Sequence, residues 1–336
     1  MKERIIAYDY IRIVAMLLVV ACHCFGDVSN TSNVVISLLS YFEAPCNGLF
    51  FAVSGALLLP INPPHTYMNT RAFLTKRLKK VVIPTMFWSV IYLALNHNLN
   101  LVSVCSIPFS AQGASVLWFM YVMVGIYIVA PIISPWLEKI EKKTLEMYLG
   151  FWLITLCYPI LKNWLIVNET VSGVLFYFSG YVGYFMLGYY LKKYGIQFKY
   201  SLLLYVSAFL IMVFVKLLAS EIHLYDDLWY LSLFCAIGVV FYWNLIEEIS
   251  SFVKLSERKK STLVTTSNLI FGVYFIHYCI AEYLIPYIDF INSIPYFAGY
   301  ATRIIIAFSG ALILSYIVSY LPFANYIIGY SHKKQK

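Results

Sequence analysis

Charge is scarce in this sequence. Of its 336 residues only 12% are Asp, Glu, Lys or Arg, while 61% are hydrophobic. Soluble domains carry about twice that share of charge, so a water-exposed globular surface is excluded. The chain also lacks an internal repeat and a low-complexity tract, and its longest polar interruption, residues 247–267, is short and basic. No soluble domain fits between the apolar stretches, and one membrane domain spanning residues 1–336 accounts for the whole sequence. Cysteine is sparse and odd in number, seven in all, scattered through apolar segments, which argues against a disulfide framework. These cysteines read as small core residues. Cys22, His23 and Cys24 have metal-ligating chemistry, but consecutive helical residues diverge by about 100° and cannot converge on one ion. No metal is expected.

Apolar runs of membrane-spanning length recur from Ile5 to the C-terminal end. A crossing takes about 20 such residues, and only helices or closed barrels cross. Ten helices are expected, at about 7–26, 34–59, 81–96, 114–133, 145–162, 172–191, 201–219, 228–246, 268–288 and 300–320. The first run has no small-residue cleavage site and holds Asp9 and Arg12 near its start, so it reads as a permanent helix rather than a removable signal. The fold class is all-α, a polytopic integral membrane protein.

The net charge of +8 does not point to nucleic acid, because the basic residues alternate between loops. With the N-terminus in the cytoplasm, the inner segments collect Lys2 and Arg4; Arg71, Lys76, Arg77, Lys79 and Lys80; Lys139, Lys142 and Lys143; Lys192, Lys193 and Lys199; Lys254, Arg258, Lys259 and Lys260; and Lys333, Lys334 and Lys336. That is 20 of the 24 cationic residues. Only Arg12, Lys162, Lys216 and Arg303 remain, in or near spans. Cytoplasmic loops gather Lys and Arg, so both termini are expected inside, in a bacterial plasma membrane crossed many times.

Some charges stand where lipid should exclude them. In "RIVAMLLVVACH", residues 12 to 23, Arg12 and His23 enclose ten apolar residues. Eleven positions at about 100° each bring them within roughly 20° of one another on the helix surface, about 16 Å apart along the axis. Either alone has an ordinary explanation: Arg12 snorkelling to headgroups, His23 in an interhelical hydrogen bond. Together, with Asp9 one turn before Arg12, they fit a polar track, since intramembrane ionisable groups face a bundle interior or aqueous path. The second run, "YFEAPCNGLFFAVSG" at 41 to 55, places Glu43 and Asn47 one turn apart, with Pro45 expected to kink the helix and Ser54 and Gly55 to serve close packing. "RAFLTKRLKKVVIP" at 71 to 84 either holds a loop inside or binds phosphate. "GVYFIHYCIAEY" at 272 to 283 carries Tyr274, His277 and Glu282, and a histidine among aromatics is more often structural. Arg303 near the outer surface, and Glu221, His223, Asp226 and Asp227 in an outer loop, have either an ordinary exposed role or a place at an entrance.

The order of these motifs resembles the acyltransferase 3 family of integral membrane acyltransferases, over nearly the whole chain. The resemblance rests on Arg12 and His23, on "FFAVSG" at 50 to 55 and on "KRLKKVVIPTMFW" at 76 to 88. Weaker echoes are "LWFMYVMVGIYIVAPI" at 117 to 132, "GYFMLGYYL" at 183 to 191 and "SNLIFGVYFIH" at 267 to 277. It implies an acyl-CoA donor, usually acetyl-CoA, used as a substrate rather than a permanently bound cofactor. The acceptor it implies is a hydroxyl of a surface glycan or another extracytoplasmic molecule, presented across or near the outer face, with membrane lipid as a further partner. Family members often read Arg-x-x-Arg before the "IP"; here Arg77 is followed by Lys80, which keeps charge but loses bidentate phosphate recognition. Some members carry an added hydrolase-like domain; this sequence has none, so chemistry within the membrane domain or with another protein is implied.

On that reading His23 is the general base, helped by Glu43 and Asn47, while Arg12, Arg77, Lys79 and Lys80 hold the donor. Direct transfer and a transient acyl-histidine are both compatible. The alternative from another class is a carrier of lipid-linked sugars or small anions using the same buried charges, although no paired half-sequences suggest inverted repeats. The 30 tyrosines fit interfacial belts or sugar stacking.

Overall fold

In hydrocarbon every backbone N–H and C=O must find its partner within the chain, and for runs of this composition that partner is one helical turn away. The computed structural model describes residues 4–26, 33–61, 63–165, 178–218 and 228–332, and no strand occurs among them. Eight helices among the described residues are long and apolar enough to cross a membrane. The protein is all-α and polytopic, as the apolar runs predict.

In chain order the described α-helices are α1 (Ile6–Cys22), α2 (Asn33–Glu43), α3 (Pro45–Leu58), α4 (Tyr67–Leu95), α5 (Leu101–Ser106), α6 (Trp118–Lys139), α7 (Lys142–Thr155), α8 (Tyr158–Trp164), α9 (Val182–Tyr194), α10 (Phe198–Leu218), α11 (Leu233–Phe252), α12 (Glu257–Tyr283), α13 (Asp289–Ser293), α14 (Tyr296–Val318) and α15 (Ala324–Ile327). Two of the ten expected spans are short. α1 has 17 residues and α9 has 13. At about 1.5 Å per residue they cover about 25 Å and about 20 Å, less than the roughly 30 Å of a hydrocarbon core. Residues 172–177, expected at the start of the sixth span, lie outside the described residues.

The chain divides into two compact units, Met1–Leu59 with Leu137–Leu263, and Pro60–Trp136 with Val264–Lys336. In the first, α3 packs on α1, α9 and α11. Small side chains allow it: a methyl group at Gly55 would overlap the Phe185 carbonyl, and one at Gly188 the Ala52 carbonyl, so α3 and α9 touch backbone to backbone. The expected packing role of Gly55 is met. Aromatic residues fill the space beside α10, where Tyr205 and Phe241 stack at 4.2 Å and the Tyr41 hydroxyl donates to the Tyr205 carbonyl at 2.6 Å.

The second expected span, one of the eight crossing stretches at Val35–Leu58, is interrupted at Ala44, where α2 gives way to α3. Pro45 has no N–H for the carbonyl one turn back, and its ring crowds that turn. Around the break, side chains from α11 supply donors: Tyr242 to the Phe42 carbonyl at 3.1 Å and the Cys235 thiol to the Ala44 carbonyl at 3.3 Å.

In the second unit the basic segment expected as a loop is helix. α4 starts at Tyr67, where the Thr66 hydroxyl caps the turn by accepting from the Asn69 N–H at 3.3 Å, and runs 29 residues through Pro84. Its length, about 43 Å, exceeds the hydrocarbon core, so a polar N-terminal part can project beyond it while the rest stays apolar. Trp88 lies parallel to Phe275 at 6.0 Å and donates to the Ile327 carbonyl at 2.9 Å, and Tyr92 donates to the Phe275 carbonyl at 2.7 Å. Tyr274 donates to the Val116 carbonyl. These bonds fasten α4, α12 and α15 within that unit.

Candidate functional site

The buried residues of α1 define its inward side. Arg12, Met16, Val19 and His23 follow one line along the helix surface at spacings of four, three and four. Met16 and Val19 are wholly buried, whereas Leu17, on the opposite side, is 41% exposed. Arg12 and His23 therefore share the packed face, as their eleven-residue spacing requires, and both are half-buried. His23 is the residue after the last helical turn, with its N–H bonded to the Val20 carbonyl at 3.1 Å. Its ring thus leaves the chain where the helix stops. Asp9 turns elsewhere: its buried carboxylate accepts from Arg4 Nε at 2.7 Å and Nη2 at 2.6 Å.

The end of α1 meets the break between α2 and α3. Glu43 is the last residue of α2, and Asn47 lies in the first turn of α3, on either side of Pro45. Both are buried, at 4% and 5% exposure, which is unusual for a carboxyl and an amide in an apolar bundle. Cys22 neighbours the Glu43 carboxyl and Cys46. Glu43 and Cys46 thus lie against the residue that precedes His23. A carboxyl held this way can accept or orient a proton inside a low-dielectric site, where each polar contact is worth more than in water.

Sequence reasoning missed the two cysteines. In the sequence Cys22 and Cys46 read as core filling, and nothing in their spacing says that they neighbour each other and the Glu43 carboxyl. The proximity comes from the packing of α1 on α3.

Within the second unit α4 sorts its own cations. Phe73, Arg77, Val81 and Pro84 follow one face, and Val81 and Pro84 are buried. Arg77 is half-buried, with its guanidinium 5.8 Å above the Phe73 ring. Lys76, Lys79 and Lys80 are exposed. A guanidinium fixed by a ring is the better preorganised group for a phosphate, and the exposed lysines add positive charge around it.

The remaining residues of interest do not join either group. His277 is wholly buried, its Nδ1 3.1 Å from the Val273 carbonyl and its ring 6.1 Å from Tyr274, a structural setting. Glu282 is exposed and Arg303 half-buried on α14. Glu221, His223, Asp226 and Asp227 lie outside the described residues.

A family model described as an acyltransferase domain, acyltransferase 3, matches residues 5–320, from the start of α1 to just past the end of α14. No curated protein and no solved structure matches the chain. The family match takes in Arg12, His23, Glu43, Asn47, Arg77, Lys79 and Lys80, and it covers nearly all of both units. A multi-helix membrane protein matched over this extent is a membrane acyltransferase, and the chain belongs to the acyltransferase 3 family.

Proposed function

We propose that the protein moves an acyl group, acetyl in the simplest case, from acyl-CoA to a hydroxyl of a cell-surface or exported carbohydrate. The observation that carries this reading is the packed face of α1, which holds Arg12 and His23 on one line inside a family of acyltransferases. A carrier would use buried charge as well, but it has no claim on a transferase family.

Transfer to an alcohol needs a base for the hydroxyl proton and cations for the donor. His23 takes the base role: imidazole gains and loses protons near neutral pH, and His23 stands at the end of α1, just past the last helical turn. Glu43, with Asn47 one turn on, orients the groups at that end and balances positive charge that develops on the imidazole. The acceptor oxygen attacks the thioester carbonyl, the carbon–sulfur bond breaks and CoA leaves as its thiol, to which the proton taken by His23 returns. Arg12 contacts the donor along the track, and Arg77 with Lys79 and Lys80 binds its phosphates. The donor is taken from the cytoplasmic side of a bacterial plasma membrane, the side to which the basic segments assign both termini. No resident cofactor and no metal enter this scheme.

The test uses membranes containing the protein, supplied with acetyl-CoA labelled in the acetyl group. Base-labile label in the carbohydrate fraction, absent from membranes without the protein, is the expected result. Label confined to unreacted acetyl-CoA across a panel of envelope glycans would contradict the carbohydrate assignment, and no consumption of the donor would contradict the acyl-CoA assignment.

A further inference from the structure

Lysines at one end of the first unit form an ordered array with tyrosines. α7 opens with Lys142, and α9 closes with Tyr189, Tyr190, Lys192, Lys193 and Tyr194. The Lys142 ammonium lies 5.9 Å from the Tyr190 ring centre and 5.4 Å from that of Tyr194. The Lys193 ammonium lies 5.2 Å from Tyr189 and 5.2 Å from Tyr194. Two cations from two helices therefore share the ring of Tyr194. The rings are tied in turn: Tyr190 donates to Glu146 at 2.7 Å, and Lys193 donates to the Tyr189 hydroxyl at 2.8 Å.

This is not the usual state of an exposed lysine. Both side chains are exposed at the surface yet held over aromatic faces, a loss of rotamer freedom that surface lysines normally avoid. Two like charges around one ring also repel. Glu146, 3.5 Å from Lys142, offsets part of this, and Glu138 and Glu141 are exposed close by in sequence. Lys192 has a separate explanation, because its ammonium donates to the Ala56 carbonyl near the end of α3, where open carbonyls favour a cation. Lys142 pairs with Glu146 and Lys193 with the Tyr189 hydroxyl, and one anion placed between the two ammonium groups would relieve the repulsion that remains.

The depth of the array indicates which anion. Lys142 is the first residue of the candidate span Lys142–Leu161, and the next candidate span, Phe198–Val215, begins four residues after Tyr194. Tyrosine rings with hydroxyl tips beside lysines on apolar stems are the composition of a headgroup layer. We propose that Lys142 and Lys193, arrayed around Tyr194, form a site for the phosphate of an anionic phospholipid headgroup. The lipid phosphate is bracketed by the two ammonium groups, and the acyl chains run down the apolar surfaces of α7 and α10.

The test is lipid retention. The protein is reconstituted with equal amounts of phosphatidylcholine and phosphatidylglycerol, returned to detergent, and its retained lipids are counted by native mass spectrometry. Wild type should keep phosphatidylglycerol in excess. Lys142→Gln with Lys193→Gln should reduce that excess by roughly fivefold for each lysine removed. Tyr194→Leu should reduce it while leaving the net charge unchanged, and the pair Lys259→Gln with Lys260→Gln, at the start of α12, should not. An equal loss with the α12 pair would mean that total charge alone is felt, and the proposal would fall. It would fall equally if the Lys142 and Lys193 substitutions changed nothing, or if millimolar inorganic phosphate or CoA stripped the lipid from wild type. Should Tyr194→Leu not fold, the two lysine pairs still decide the matter.

Discussion

His23 stands just past the last turn of α1, and that one-residue detail governs its chemistry. Inside the helix its ring would lie back along the preceding turn; as the capping residue it is directed by the chain beyond. His23→Ala is expected to lower acyl transfer by roughly a hundredfold or more, the scale of a lost general base. Size-exclusion behaviour and thermal stability should stay at wild-type values. Glu43→Gln keeps the shape and removes the charge, and it should reduce the maximal rate about tenfold or more while leaving the Michaelis constant for the donor unchanged. A matching rise in that constant would move Glu43 to donor binding. Arg77→Ala should instead raise the donor constant about tenfold at nearly constant rate, with Arg77→Lys intermediate because a lysine keeps charge without the guanidinium fork. Arg12, His23, Glu43 and Asn47 were all legible in the sequence as candidates, because a polar side chain inside an apolar run stands out. Cys22 and Cys46 were not, since a thiol in such a run looks like any small core residue until α1 is packed on α3.

Among the elements, α3 decides the shape of the first unit. Its contact with α9 depends on Gly55 and Gly188, and a larger side chain at either must push two backbones apart. Gly188→Val is expected to destabilise the protein by about 1–3 kcal/mol, seen as a lower thermal midpoint in detergent, whereas Gly125→Ala, with open space around it, should change little. Most helices could be read from hydropathy with end errors of a few residues, although α12 starts at Glu257, eleven residues before its expected span, and the break at Pro45 followed from the missing N–H. α4 could not be placed so well. Its first fourteen residues are too polar to register as a span, yet a capped, continuous helix carries them past the apolar part. Hydropathy registers burial in lipid, and helix persistence beyond the lipid leaves no mark in it.

At the scale of the whole molecule, two compact units share one family match from residue 5 to residue 320, and each contributes charged residues that the proposed reaction needs. Arg12 and His23 belong to the first and Arg77 to the second. The division itself was not readable from the sequence, because the first unit closes through Leu137–Leu263 after the second has begun, and such an exchange depends on packing rather than on any composition shift. Donor binding is tested by calorimetry of acetyl-CoA with the purified protein, before any acceptor is known. Wild type should bind saturably, and Arg12→Ala and Arg77→Ala should each weaken binding about tenfold in protein that remains folded. Folded wild-type protein that binds no acetyl-CoA, or binding that neither substitution alters, would contradict the account.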